Sequence, residues 1–160
     1  MELANKKEDT NELYKLGQVY YRAANASAAD SLLRIKYIKE GDEIFAKVDA
    51  EMVKSGEPSY LGVFWRSRIN QLVDRKHPNE VAAGYMKETI KRLEDPKFNG
   101  EDKDDYNPHR AQAYSYLAWL AMEKDDNDAA KSNAQKALQC EEDNPLASNV
   151  KKYLELIGKW

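Results

Sequence analysis

The chain has 160 residues, of which 42% are hydrophobic and 33% charged, a length that suits one domain with a sizeable core. Its 28 acidic residues outnumber 25 basic ones for a net charge of −3, which leaves no cationic surplus to hold a phosphate backbone and argues against nucleic acid as a partner. The single cysteine, Cys140, excludes a disulfide framework and a Cys-rich metal site, and no apolar run reaches the ~20 residues of a membrane span.

The opening MELANKKEDTNE is polar, without the apolar centre of a signal peptide. Residues 1–10 read as a disordered or partly ordered segment. The expected compartment stays open between cytoplasm and periplasm, for a soluble chain that is complete or a fragment.

Helical periodicity begins at Asn11. Leu13, Leu16, Gly17 and Tyr20 fall on one stripe, and Thr10 or Asn11 can cap its start. The next run carries Leu33, Tyr37, Ile44, Val48 and Met52 and is interrupted by Gly41. It is either one long helix or two. Glycine in a helix interior costs about 1 kcal/mol against alanine, which favours a joint near Gly41 with Asp42 as the new cap. Gly56 and Pro58 mark a turn. A third run holds Leu61, Phe64, Trp65, Ile69 and Leu72, and after RKHPNE a fourth holds Val81, Ala82, Tyr85, Met86, Thr89, Ile90 and Leu93.

The acidic break DPKFNGEDKDDYNPH separates these from AYSYLAWLAMEKDDNDAAKSNAQKALQCEEDNP, two helical runs about a short polar turn. A last helix turns Leu146, Val150, Leu154 and Ile157 inward. No segment alternates as a strand does. The expectation is an all-α protein of about seven helices.

Alanine recurs at Ala118, Ala121, Ala130, Ala134 and Ala137. Antiparallel helices approach to about 8–10 Å only where the contact ridge is low, so the alanine spacing reads as a device of shape, with no chemistry in it. Leu16-Gly17-Gln18-Val19-Tyr20 repeats the idea in the first pair of helices.

These spacings resemble the tetratricopeptide repeat, a helical hairpin of about 34 residues. The match is close over Tyr114 to Ala137, apart from Ala121 and Ala134 where the pattern has larger residues. It is weaker in the first unit, where Leu16-Gly17 and Tyr20 carry it and roughly a dozen residues exceed the period; either Ala29 takes the small position of the second helix, or GDEIFAKVDAEM is that helix and AANASAADSLLRIKYIKE an insertion. Tyr60-Leu61-Gly62, Trp65-Arg66-Ser67-Arg68 and Tyr85-Met86-Lys87 are similar to the C-terminal repeat regions of such proteins from Bacteroidetes-type bacteria. The resemblance implies an alpha-alpha superhelix of about three hairpins, at 11–54, 58–95 and 107–142, closed by a capping helix at 144–158. Lys151, Lys152, Glu155 and Lys159 would form its polar face.

Chemistry-bearing residues are few. His77 and His109 each sit beside a proline in a turn, with no His-Glu-x-x-His spacing. Cys140 has no His and Asn set to activate it. GEDKDD at 100–105 departs from a calcium-binding loop and reads as a solvated charge run. No cofactor, metal site or acid/base pair is expected, and the chain is not expected to be an enzyme.

The repeat resemblance implies a concave groove lined by the first helix of each unit. Its candidate residues are Asn11, Tyr14, Gln18 and Tyr21 in the first unit, Trp65, Arg68 and Gln71 in the second, and Gln112, Ser115, Trp119 and Met122 in the third. Gln18, Ser115 and Trp119 depart from the Lys and Asn set with which some members hold chaperone C termini. The implied function is a non-enzymatic scaffold that binds a protein or peptide segment. Two alternatives stand beside it: an accessory repeat domain of a larger secreted or outer-membrane assembly, with self-association into a homo-oligomer as one form, and a small-ligand or glycan binder using Trp65 and Trp119.

Overall fold

A computed structural model describes residues 2–28, 31–56, 59–95 and 103–160, with side chains from Asp9 onward in the first stretch and from Asp105 onward in the last. Ala29, Pro58 and residues 100–102 of the acidic run lie outside the described residues. Among the described residues there are seven α-helices and no strand. None of the helices is long and apolar enough to cross a membrane. The chain divides into two compact units, up to Arg75 and from Lys76 onward. The helices expected to pair at 58–95 fall one in each unit.

The first unit holds α1 (Glu2–Ala26), α2 (Leu32–Ser55) and α3 (Leu61–Asn70), with a 3₁₀ turn at Gln71–Val73. α1 starts nine residues ahead of the cap expected at Asn11 because neither proline nor glycine stops the helix there. α2 is one continuous helix, and the joint expected at Gly41 is absent. Gly41 is there for closeness: a Cβ on it would overlap Ile69 Cδ1 and lie 3.1 Å from the Tyr20 Cβ. Asp42, the expected cap, instead accepts two 3.0 Å hydrogen bonds from Arg66 and one of 2.9 Å from Asn70. Ser31 caps the start of α2, and Gly56 at φ +74° ends it in the left-handed region that glycine reaches without strain.

Gly17 is buried and faces Phe45, while Tyr20 packs on Tyr37, so α1 and α2 run antiparallel. Gly41 against Ile69 and Gly62 against Asp49 make α2 and α3 antiparallel as well. The core is Ala24, Ile38, Phe45, Ile69 and Leu72. Leu16 and Leu33, assigned to inward stripes, are exposed. Arginines close two carbonyl ends: Arg34 donates to Leu72 O and Arg75 to Asn25 O. Burial pushes the Arg34 guanidinium below its ordinary range, with Arg75 adding repulsion.

The second unit holds α4 (Glu80–Leu93), a 3₁₀ turn at Lys103–Tyr106, α5 (Asn107–Glu123), α6 (Asn127–Cys140) and α7 (Pro145–Leu156). Asn79, Asp126 and Asn144 cap α4, α6 and α7, each side chain accepting a backbone N–H three residues on. α5 fastens both ends of α4. The Asn79 amide donates to the Tyr116 hydroxyl at 2.9 Å, and buried Arg110 reaches Leu93 O at 3.2 Å and Glu94 at 3.3 Å.

Asp125, at φ 58°, turns the chain from α5 into α6. The α5–α6 contact is the alanine spine. Ala118, Ala130, Ala134 and Ala137 are completely buried, and Ala147, Val150 and Leu154 of α7 close over it. Val81 and Ile157, assigned inward, are exposed, because Ala82, Ala83 and Met86 take the buried face of α4 and Val150 and Leu154 that of α7.

Buried hydroxyls find partners within about one turn of their own positions. Thr89 donates to Tyr85 O at 2.8 Å, Ser115 donates to Gln112 O at 3.1 Å, and Ser67 accepts from Gln71 Nε2 at 3.2 Å.

Candidate functional site

The first unit gathers most of the expected groove residues. Tyr14 and Tyr21 lie on one stripe of α1, two turns apart. Trp65 on α3 meets both edge-on, at 6.1 and 5.3 Å between ring centres. Its own ring stacks on Phe45 of α2 at 5.5 Å and 26°. Gly17 makes this possible, since a Cβ there would lie 2.5 Å from the Phe45 ring. Close approach of α1 and α2 therefore delivers Phe45 beneath the cluster, and α3 lays Trp65 upon it. Edge-to-face and offset contacts of this kind are favourable and hold the rings in fixed orientations.

Arg68 completes the group. Its guanidinium carbon lies 4.4 Å from the Trp65 ring centre, 4.9 Å from that of Tyr21 and 6.0 Å from that of Phe64. One N–H donates to the Tyr21 hydroxyl at 3.3 Å. Tyr14, Gln18, Tyr21, Trp65 and Arg68 are all half-buried. Burial raises the pKa of the Tyr14 phenol; a hydrogen bond with Trp65 and the Arg68 charge oppose the rise. Asn11 is exposed further along the α1 stripe, and Gln71 is turned back to Ser67.

The third set divides. Gln112 is exposed. Ser115 is 2% exposed, so it offers no surface; its hydroxyl is spent on the preceding turn. Trp119 and Met122 pack half-buried against the alanine spine, and Trp119 meets Tyr116 edge-on at 5.8 Å.

Sequence reasoning named Tyr14, Gln18 and Tyr21 together but passed over Phe45. The glycine at position 17 was the available signal for it, since its missing side chain must be filled by a ring from the facing helix.

The other candidates stay apart. His77 lies 3.7 Å from Glu123 and is exposed. Cys140 is half-buried, and burial pushes its thiol pKa up. Among the described residues no group of three or more His, Cys, Asp or Glu could hold a metal ion.

No family model and no curated protein matches the chain. Among solved structures, it is similar to the C-terminal part of a TPR repeat-containing protein from Cytophaga hutchinsonii, at 19% identity and a TM-score of 0.48, over 92% of this chain and 63% of that one.

Proposed function

We propose that the chain is a non-enzymatic interaction module whose first unit holds a segment of a partner polypeptide on the surface formed by Tyr14, Gln18, Tyr21, Trp65 and Arg68. The observation that carries this reading is the ring assembly itself: Tyr14 and Tyr21 braced on Trp65, Trp65 stacked on Phe45, and Arg68 laid over Trp65. Tyr, Trp and Arg dominate binding energy at protein interfaces. Here they are pre-ordered, so little side-chain entropy is lost when a partner docks. The Trp65 ring is engaged from within the unit by Phe45 and Arg68, which favours a polypeptide over a flat sugar stacked on that indole.

Selection of random peptides displayed against the immobilised chain tests the proposal. Recovered peptides should lose binding to Tyr21→Ala and keep it with Lys39→Ala, a change at an exposed position of α2. Far-UV circular dichroism checks that both variants stay helical. No recovered peptide, or binding indifferent to Tyr21→Ala, refutes it.

A further inference from the structure

We infer that Arg68 receives a side-chain carboxylate, so that the segment held on this surface carries an Asp or Glu at a fixed position. The inference rests on the peptide-binding reading above and names what that site selects.

The argument starts from how the buried and half-buried arginines are partnered. Arg66 forms two hydrogen bonds to Asp42. Arg92 pairs with Glu88 at 3.1 Å, and Arg110 with Glu94 and the Leu93 carbonyl. Arg34 donates to the Leu72 carbonyl at the end of the 3₁₀ turn. Arg68 differs. Its one described hydrogen bond goes to a neutral phenol, and no carboxylate pairs with it among the described residues. Asp42, one of the acids that α2 turns toward α3, is already taken by Arg66 and Asn70.

Geometry adds direction to that imbalance. The guanidinium lies over the Trp65 ring, and the Tyr21 ring, at 88° to that of Trp65, stands beside it. A guanidinium carries five N–H donors in its plane, and the one spent on the Tyr21 hydroxyl leaves others for an in-plane acceptor. A carboxylate matches those donors with two parallel hydrogen bonds. The surrounding rings lower the local polarity, which strengthens a pairing made there.

The same surface favours an internal acidic residue over a chain terminus. Gln18 lies half-buried between Tyr14 and Tyr21 on the α1 stripe, with no hydrogen-bond partner among the described residues. Its amide offers a donor and an acceptor together, the complement of a continuing peptide bond. Arg68 is the only cation among these five residues, which matches one carboxylate.

An array of random peptides blocked at both ends, probed with the intact chain, tests the inference. Asp or Glu should be enriched at one position among the binders. Changing that residue to Gln should weaken binding about 10–100-fold, the range for losing a charged hydrogen-bonded partner. Arg68→Met should weaken the acidic peptide equally and leave its Gln twin unchanged, giving a coupling of about tenfold or more in the double-mutant cycle. Arg68→Lys should fall between.

Binders that depend on Tyr21 but show no acid preference, or a coupling near unity, overturn the inference and leave the peptide-binding reading standing. Binding that requires an unblocked C terminus also overturns it. No binders at all overturn both. If Arg68→Met fails to fold, the Glu-to-Gln peptide series against wild type and Arg68→Lys decides the matter alone.

Discussion

Alanine at position 62 and alanine at position 84 should move stability in opposite directions, although both replace a helical glycine. A Cβ on Gly62 would lie 2.6 Å from Asp49 Cβ, 2.8 Å from its Cα and 3.0 Å from its backbone N. Ordinary carbon contacts sit near 3.5–4.0 Å, so α3 must recede from α2 by about 1 Å. Two of those three atoms are main chain, so no rotamer change relieves the overlap. The retreat would also stretch the Arg66–Asp42 pair and draw Ile69 out of the recess at Gly41. Overpacking of this kind costs about 3 kcal/mol at the upper end of its range, and the helix gain of alanine over glycine returns about 1 kcal/mol. The net loss is about 2 kcal/mol, or a fall of ~4–8 °C in melting temperature for a chain of this length. Gly84 has nothing within 4 Å and lies exposed on α4. Only the helix term acts there, and Gly84→Ala should raise the melting temperature by ~1–4 °C. Thermal unfolding followed by far-UV circular dichroism reads both. A Gly62→Ala melt at or above wild type, or a Gly84→Ala melt below it, refutes the close-approach argument.

Ala130→Leu should destabilise the α5–α6 hairpin by about 2–3 kcal/mol in urea unfolding, because Ala118, Ala130 and Ala134 are fully buried and leave no room for three more carbons. Cys140 should react with a disulfide reagent more slowly than a free thiol at about pH 8, since burial raises its pKa and the thiolate is the nucleophile; urea should restore the free rate. Tyr14 and Tyr114 also have raised pKa values, each chiefly through burial. Their neutral forms contribute stability that is full below the ordinary tyrosine value of ~10 and is lost as pH rises through the folded values. Tyr14→Phe should therefore flatten the alkaline fall in stability, as measured by unfolding at successive pH values.

Much of the hairpin architecture was legible because it depends on local spacing. Gly17, Ala118 and Ala130 had to be small for the helices to approach, and all three are buried at such contacts. Gly41 misled for a related reason. Its cost was judged on an isolated helix, whereas its value lies in admitting Ile69 from another helix, which the sequence of α2 does not display. Leu16, Leu33, Val81 and Ile157 had the right periodicity for core residues, but each helix had more apolar positions than neighbours to cover them. Within the candidate surface, the α1 stripe through Tyr14, Gln18 and Tyr21 follows from helical pitch alone. Its meeting with Trp65 and Arg68 depends on the register of α3. That Arg68 meets the Tyr21 hydroxyl while Arg66 pairs with Asp42 is a partition of side chains among three helices, which no single helix displays.

The hydroxyls of Thr89 and Ser115, bonded back to their own helices, look nearly apolar to the neighbours that enclose them. Tolerance inside these hairpins is therefore set by bulk more than by hydropathy. A small hydroxyl can stand where alanine stands, while leucine cannot. A chain built this way can shed the oily signature of a helical interior over many substitutions and still keep the spacing between its helices.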